Sequence, residues 1–208
     1  LPDAILGDLL SRIHQIDHVE IIRIGSRVPL TLPERITPQL CQLLKRFAPL
    51  YLNTHFNHPR ELTPAAIAAC NLLADHGIVL GNQTVLLKGV NDDPAVIQEL
   101  FFKLLKMRVR PYYLHQMDLV RGGAHFRTSL ATGLEIMASL RGPVSGLASP
   151  QYVIDLPGGK GKVPLLPEAI SRQGGSTLIR AASGEVLDYP DIITRPTESG
   201  VKGAADIC

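Results

Sequence analysis

Short apolar runs alternate with helical patterns through most of this 208-residue chain, and no other feature of the sequence constrains the fold as strongly. Three helical patterns begin with Thr-Pro or Asp-Pro, where the first residue can cap the helix and the proline suits its first turn. Such alternation is typical of βαβ units and predicts an α/β fold with a parallel sheet. The predicted strands are residues 19–24, 50–55, 78–87 (interrupted at 81–83), 109–114 and 152–155, and the predicted helices are 3–15, 37–47, 63–76, 93–106 and 129–140.

Polar residues cluster where the predicted strands end, the edge of a parallel sheet at which binding sites collect. A single polar residue of this kind would be interpreted as a solvated loop residue. Polar residues at the ends of five successive predicted strands indicate a site. These residues are Arg27 after the first strand, His55, Asn57 and His58 after the second, Asn82 and Gln83 within the third, His115, Gln116 and Asp118 after the fourth, and Asp155 at the end of the fifth.

A glycine-rich segment, DLPGGKGK, follows the fifth predicted strand at residues 155–162. Backbone of this kind can turn its N–H groups toward an anion, and a lysine held there can bind phosphate or form a Schiff base. The segment therefore suggests a phosphate-bearing aldehyde cofactor such as pyridoxal phosphate. An exposed basic turn is an equally good interpretation of the segment alone.

The pattern changes after about residue 167. Residues 177–180 and 186–189 flank Ser183-Gly184-Glu185 and predict a β-hairpin. The stretch 190–208 is rich in proline, glycine and alanine and predicts an extended tail. We therefore expect a barrel-like segment over 1–167, which carries the substrate and cofactor residues, and a hairpin with a tail over 168–208.

Composition argues against several classes of function. A net charge of +2 provides no general electrostatic case for binding nucleic acid or an anionic membrane, and no apolar run is long enough to span a bilayer. The three cysteines, Cys41, Cys70 and Cys208, are too widely spaced to suggest a metal or disulfide framework. The chain begins at Leu1 without a secretory signal or an initiator methionine, so we expect a cytoplasmic and partial chain.

Seven motifs occur in order along the chain: RIGSRVP (23–29), LNTHFNHP (52–59), GNQTVLLKGVND (81–92), RPYY (110–113), HFRT (125–128), LRG (140–142) and DLPGGKGK (155–162). This series resembles that of the lysine 2,3-aminomutases, which are radical S-adenosylmethionine enzymes that also use pyridoxal phosphate. The resemblance covers nearly the whole chain, weakens after about residue 190, and matches only the C-terminal half of the family. It implies a partial parallel (β/α) barrel of the radical-SAM type, truncated at its N-terminus.

The resemblance also implies residue roles. Lys162 matches the lysine that holds pyridoxal phosphate and is the predicted catalytic residue. Asp118 and Asp155 match the two carboxylates that receive the ε-ammonium of substrate lysine. His55 and Gln83 match positions that contact S-adenosylmethionine. Paired carboxylates in a pocket repel each other and so select a cation between them, which points to lysine, or a closely similar diamine, as the substrate.

Two positions depart from the family. Lys160 replaces a common glycine, and it is either an exposed extra charge, which we favour, or a contact for phosphate. His115 stands where a tyrosine is frequent near the cofactor, which puts the cofactor contact at that position in question.

The implied activity is the isomerisation of L-lysine to L-β-lysine by radical chemistry, in a full-length protein expected to be a homo-oligomer. The [4Fe–4S] cluster of the family is held by a CxxxCxxC motif that this sequence lacks, so we expect no metal ligands in the chain and no turnover by the chain alone. Two alternatives stay open: an aminomutase that acts on a protein-bound lysine, and an inactive fragment that serves for pyridoxal phosphate binding or assembly.

Overall fold

Five parallel strands and one antiparallel strand form a six-stranded sheet in order of sequence, with five helices of eight residues or more around it. The computed structural model describes residues 1–166, 170–173, 176–180 and 184–189. These residues fall into two units that divide at residue 167. The strands of the first unit are β1 Ile22–Gly25, β2 Leu50–Thr54, β3 Val79–Leu86, β4 Val109–Gln116, β5 Gln151–Asp155 and β6 Lys162–Pro164, and its helices are α1 Asp3–His14, α2 Val28–Thr31, α3 Pro38–Lys45, α4 Pro64–Asp75, α5 Pro94–Lys106 and α6 Leu130–Leu140.

The sheet is curled into a half-barrel, which confirms the predicted α/β class and the partial parallel barrel. Each of β1 to β5 runs parallel to the next, and β6 pairs antiparallel with β5. A helix follows each of the first four strands and leads to the next parallel strand, as βαβ units require.

Side-chain caps explain where the helices begin. The hydroxyls of Thr37, Thr63 and Ser129 accept hydrogen bonds from backbone N–H groups of the first turns of α3, α4 and α6 at 3.1–3.2 Å. Asp93 accepts from Ala95 N at 2.8 Å at the start of α5. Each cap satisfies a backbone donor that has no partner within the helix. The predicted helix starts are confirmed at these four residues.

One face of the sheet packs against the helices, and the other is the inner face of the half-barrel. In β3 the buried residues Leu80, Asn82, Thr84 and Leu86 alternate with less buried ones. Period-two alternation therefore places Gly81, Gln83 and Val85 on the inner face. Cys41 and Cys70 are fully buried in the core, as predicted.

Two predictions about strands were wrong. Residues 81–83 do not interrupt β3, because β4 absorbs the irregularity: Asn82 lies opposite Pro111 while Gln83 lies opposite Tyr113. The extra residue in β4 is a bulge, which shifts the register and lets β3 continue. The fourth strand also runs on to Gln116, so His115 lies within β4 rather than after it.

Buried Asn82 connects the end of β2 to β3. Its Oδ1 accepts from Thr54 Oγ1 at 2.9 Å and from Phe56 N at 2.7 Å. Its Nδ2 donates to Phe56 O at 3.0 Å and to Thr84 Oγ1 at 2.8 Å. A buried amide that lost these partners would destabilise the fold. The four hydrogen bonds therefore fix the conformation of the backbone after β2.

The second unit is a three-stranded antiparallel sheet of β7 Ile170–Gln173, β8 Ser176–Arg180 and β9 Val186–Tyr189. The hairpin of β8 and β9 confirms the hairpin predicted from the sequence, whereas β7 was not predicted. The predicted tail over 190–208, including Cys208, lies outside the described residues. Within the described ranges, no helix combines the length and the apolar character needed to cross a bilayer.

Candidate active site

The turn between β5 and β6 brings Lys162 directly opposite Asp155. Leu156 N donates to Gly161 O at 3.0 Å and closes the turn. Gly158, Gly159 and Gly161 have φ of 76°, 72° and 89°, a region that is strained for residues with a Cβ. The three glycines of the DLPGGKGK segment thus allow the reversal that places the lysine beside the carboxylate.

Lys162 and Asp155 form a close, two-point ion pair. The ammonium Nζ donates to Oδ1 at 2.8 Å and to Oδ2 at 2.6 Å. The two side chains keep 30% and 43% of their exposure, so the pair can be reached from solvent. The structure therefore places together two of the residues predicted for the site, one assigned to a cofactor and the other to a substrate.

His115 lies against this pair. Its Nδ1 is 3.3 Å from Lys162 Nζ and 3.3 Å from Asp155 Oδ2. Its Nε2 is buried and has no hydrogen-bond partner among the described residues. If Nδ1 accepts from the ammonium, Nε2 carries the proton as a donor; if Nδ1 donates to the carboxylate, Nε2 is an acceptor. In either tautomer Nε2 is a buried polar atom without a hydrogen-bond partner in the described structure.

The charges of the cluster shift its pKa values in opposite directions. Hydrogen bonding to Lys162 holds the pKa of the Asp155 carboxyl below its ordinary value, so the carboxylate is ionised at neutral pH. Burial lowers the pKa of the His115 imidazole, and the Lys162 charge lowers it further. Asp155 partly offsets that effect. At neutral pH the site therefore contains a neutral imidazole beside an ion pair.

Two tyrosines of β4 complete the cluster, and the sequence interpretation missed both. The Tyr113 ring centroid is 5.2 Å from Lys162 Nζ, a cation–π distance, and 5.4 Å from the ring of His115. The hydroxyls of Tyr112 and Tyr113 share a hydrogen bond of 3.1 Å, and this bond, together with burial, raises the pKa of Tyr113. The bulge in β4 turns these consecutive residues so that their rings lie 3.9 Å apart. The signal that could have found them was their place in the RPYY motif, two residues before His115.

His55 and Gln83 form a second group, just after β2 and within β3. Burial lowers the pKa of His55, the Arg27 charge adds to that effect, and a hydrogen bond with Gln83 opposes it. The His55 charge also lowers the pKa of His115, so the two groups interact electrostatically. These side chains are half-buried, and imidazole and amide groups can donate or accept hydrogen bonds to a polar ligand.

The backbone after His55 is held by side chains that are themselves fixed. Glu61 Oε2 accepts from the backbone N–H groups of Asn57 and His58, and Glu61 Oε1 pairs with Arg27 at 3.2 Å. Asn57 Oδ1 in turn accepts from Val85 N at 2.9 Å. Arg27, Asn57 and His58 therefore belong to the scaffold of this strand end.

The structure leaves two predicted residues apart from these groups. Asp118 is exposed in the segment after β4, and its carboxylate makes no hydrogen bond or ion pair within the described part of the chain. Lys160 is exposed at the tip of the β5–β6 turn. A cavity of about 350 Å³ on the inner face is lined by Arg23, Asn53 and Arg110 among others, and Tyr112 is its one lining residue that also belongs to the first group. We assign no chemistry to that cavity.

No group of three metal-ligating side chains occurs within the described residues. Cys41 and Cys70 are buried, and burial raises the pKa of both thiols, that of Cys70 to about 12. Because metals and clusters bind thiolates, these two residues do not fit an iron–sulfur cluster.

Comparison with known proteins shows which enzymes this chain resembles in sequence. A family model described as Lysine-2,3-aminomutase matches residues 137–206. The chain is 50% identical to the L-lysine 2,3-aminomutase of Fusobacterium nucleatum over 190 residues, which are 91% of this chain and 45% of the relative. It is 50% identical to that of Methanococcus maripaludis over 198 residues, 95% of this chain and 44% of the relative.

A glutamate enzyme is also similar. The chain is 46% identical to the glutamate 2,3-aminomutase of Clostridioides difficile over 192 residues. These residues are 92% of this chain and 46% of the relative. The chain thus spans less than half the length of these curated relatives.

The titration of His115 tests the geometry of the cluster. We expect its midpoint below 6.5, the ordinary value. Lys162→Met removes a cation that lowers the pKa of His115, so the midpoint should rise. Asp155→Asn removes an anion that raises this pKa, so the midpoint should fall further. NMR of the His115 ring resonances over a pH range of about 4–8 measures both shifts. Lys160→Met is the control and should leave the midpoint unchanged. Unchanged midpoints in both variants would contradict the contacts described.

Proposed function

The chain belongs to the lysine 2,3-aminomutase family, and we propose that the protein is an isomerase that moves the 2-amino group of L-lysine to C3, giving L-β-lysine. The observation that carries the proposal is the pairing of Lys162 with Asp155 at the carboxyl end of β5. It joins a lysine that can condense with an aldehyde to a carboxylate that can receive an amine.

Lys162 is the proposed attachment point for pyridoxal phosphate. Its amine is partly exposed, and a Cβ added at Gly158, Gly159 or Gly161 would meet no atom within 4 Å, so the space beside the turn is open to a ligand. The His115 ring lies beside the same amine, with its Nδ1 3.3 Å from Lys162 Nζ. The residues present therefore fit a phosphate-bearing aldehyde. When bound, pyridoxal phosphate supplies the conjugated carbon through which nitrogen can migrate, and S-adenosylmethionine with a [4Fe–4S] cluster supplies the radical.

Asp155 and Asp118 are the proposed partners of the substrate's distal ammonium. Asp155 already binds an alkylammonium, that of Lys162, at 2.6 and 2.8 Å, which supports its ability to bind another of the same chemistry. Asp118 is exposed and without a side-chain partner in the described structure, so its carboxylate is free to join. Two carboxylates repel the distal carboxylate of glutamate and attract the ammonium of lysine. This difference favours lysine over glutamate as the substrate.

His55 and Gln83 are the proposed contacts for S-adenosylmethionine. They directly follow Thr54 and Asn82, which lie opposite each other in β2 and β3, and both side chains are half-buried and able to donate or accept hydrogen bonds to a polar ligand. The cluster does not fit the described residues, and we assign the radical-generating step to a segment outside these 208 residues. We further propose a cytoplasmic, homo-oligomeric protein with no nucleic-acid or membrane partner.

Reductive labelling tests the attachment point. Incubation with pyridoxal phosphate followed by borohydride should fix the cofactor to Lys162, since its amine is next to open space and to a carboxylate. Peptide mass spectrometry locates the label. Lys162→Ala should abolish it, whereas Lys160→Ala, which removes a neighbouring exposed lysine, should leave it unchanged. A label on Lys160 in the unaltered protein would contradict the assignment.

Turnover tests the substrate role of Asp155. With the radical cofactors supplied by the rest of the protein, Asp155→Asn should lower kcat/KM for L-lysine by about 10- to 100-fold, as expected for loss of a charged hydrogen bond. Chromatography of L-β-lysine measures the rate. Asp75→Asn removes another ion-paired carboxylate, that of Asp75 with Arg108 on the surface, and should have no effect. Equal losses in both variants, or turnover by the 208-residue chain alone, would refute this account.

A further inference from the structure

Asp155 is the proposed binding site of the substrate's distal ammonium, and in the structure the ammonium of Lys162 is bound there. Lys162 donates to both carboxylate oxygens, and His115 Nδ1 lies 3.3 Å from one of them. A substrate ammonium that approached the same carboxylate would come within about 4–6 Å of Lys162 Nζ, where like charges disfavour each other. The two ammonium groups therefore compete for Asp155.

We propose that Lys162 occupies the substrate site at Asp155 until it condenses with the cofactor, so that cofactor attachment must precede productive binding of the substrate's distal ammonium. The inference rests on the proposed function, because it takes Lys162 as the attachment point and Asp155 as the amine site. It adds the order in which cofactor and substrate bind, and it couples the state of Lys162 to the binding of an ammonium at Asp155.

Condensation of Lys162 with the cofactor's aldehyde removes its ammonium from Asp155, because it lowers the number of N–H groups on Nζ. A lysine ammonium has three N–H groups, two of which serve Asp155. When Nζ forms its double bond to the aldehyde carbon, two of its protons leave with the carbonyl oxygen as water. At most one N–H then remains, so the two-point pairing with Asp155 is lost. The carboxylate becomes available to an ammonium from outside.

The surroundings of Asp155 make this release effective. The carboxylate keeps 43% of its exposure, so an incoming ammonium can reach it. His115 is neutral at neutral pH, because burial and the Lys162 charge lower its pKa, and so it does not replace Lys162 as a cation. Tyr113 contacts Lys162 through its ring face and offers no anion. Within the described residues, Lys162 is the cation that pairs with Asp155 at neutral pH.

Binding of L-lysine to the protein without pyridoxal phosphate tests the competition. Lys162→Met removes the ammonium but keeps a side chain of similar length, and it should bind L-lysine about tenfold more tightly than the unaltered protein. Lys160→Met removes the neighbouring exposed lysine and should bind L-lysine as the unaltered protein does. Isothermal titration calorimetry measures all three affinities. Lys162→Gln, which keeps a polar group on the exposed strand, is measured in parallel in case the Met variant is unfolded.

Two controls identify the group that responds. L-norleucine, which lacks the distal amine, should show no gain of affinity in Lys162→Met. Adding Asp155→Asn to Lys162→Met should remove the gain for L-lysine, because the site is then lost.

The outcomes separate this inference from the proposed function. Equal binding by the unaltered protein and Lys162→Met, together with weaker binding by the double variant, would overturn the competition and leave Asp155 as the amine site. Equal binding by all variants would instead show that the distal amine does not bind Asp155, and the proposed substrate role would fail with the inference. If Lys160→Met gained as much affinity for L-lysine as Lys162→Met, the gain would come from the change in net charge. That result would also overturn the competition.

Discussion

The antiparallel pairing of β6 with β5 is the constraint on which the site depends. It places Lys162 opposite Asp155 across a glycine-rich turn, so that an amine and a carboxylate meet at 2.6–2.8 Å. A parallel sheet alone would bring only strand ends together, and Lys162 would then lie in a loop. The reversal also places the lysine proposed for the cofactor and the carboxylate proposed for the substrate on one hairpin. The competition between them follows from that geometry.

A second constraint acts on the neighbouring strands. The four hydrogen bonds of buried Asn82 fix the chain after β2, and Glu61 holds the next two backbone N–H groups. Because β2 and β3 are held in this way, His55 and Gln83 face the same side as His115. The proposed S-adenosylmethionine contacts and the proposed pyridoxal contacts thus belong to one inner face. Burial of polar groups, rather than surface charge, positions the site.

Much of the fold was predictable because local chemistry determined it. Thr37, Thr63 and Asp93 cap helices where their side chains suggested, and the β-branched and apolar runs became strands. The strand β6 was not predictable, because a three-residue exposed strand has no periodicity of its own and forms only against β5. The bulge in β4 likewise depends on pairing with β3. Contacts of His115 and Tyr113 with Lys162 follow from those tertiary features, so the sequence could suggest the residues of the site but not their mutual distances.

The central claim is that one pocket binds the cofactor at Lys162 and the distal amine at Asp155. A crystal structure of the protein with pyridoxal phosphate and 6-aminohexanoate, which has lysine's distal amine but no 2-amino group, tests it most directly. We expect continuous density from Lys162 Nζ to the pyridoxal ring, with the ligand's ammonium within hydrogen-bond distance of Asp155 and Asp118. Density joined to another lysine, or an ammonium bound away from Asp155 while Lys162 is attached to the cofactor, would contradict it.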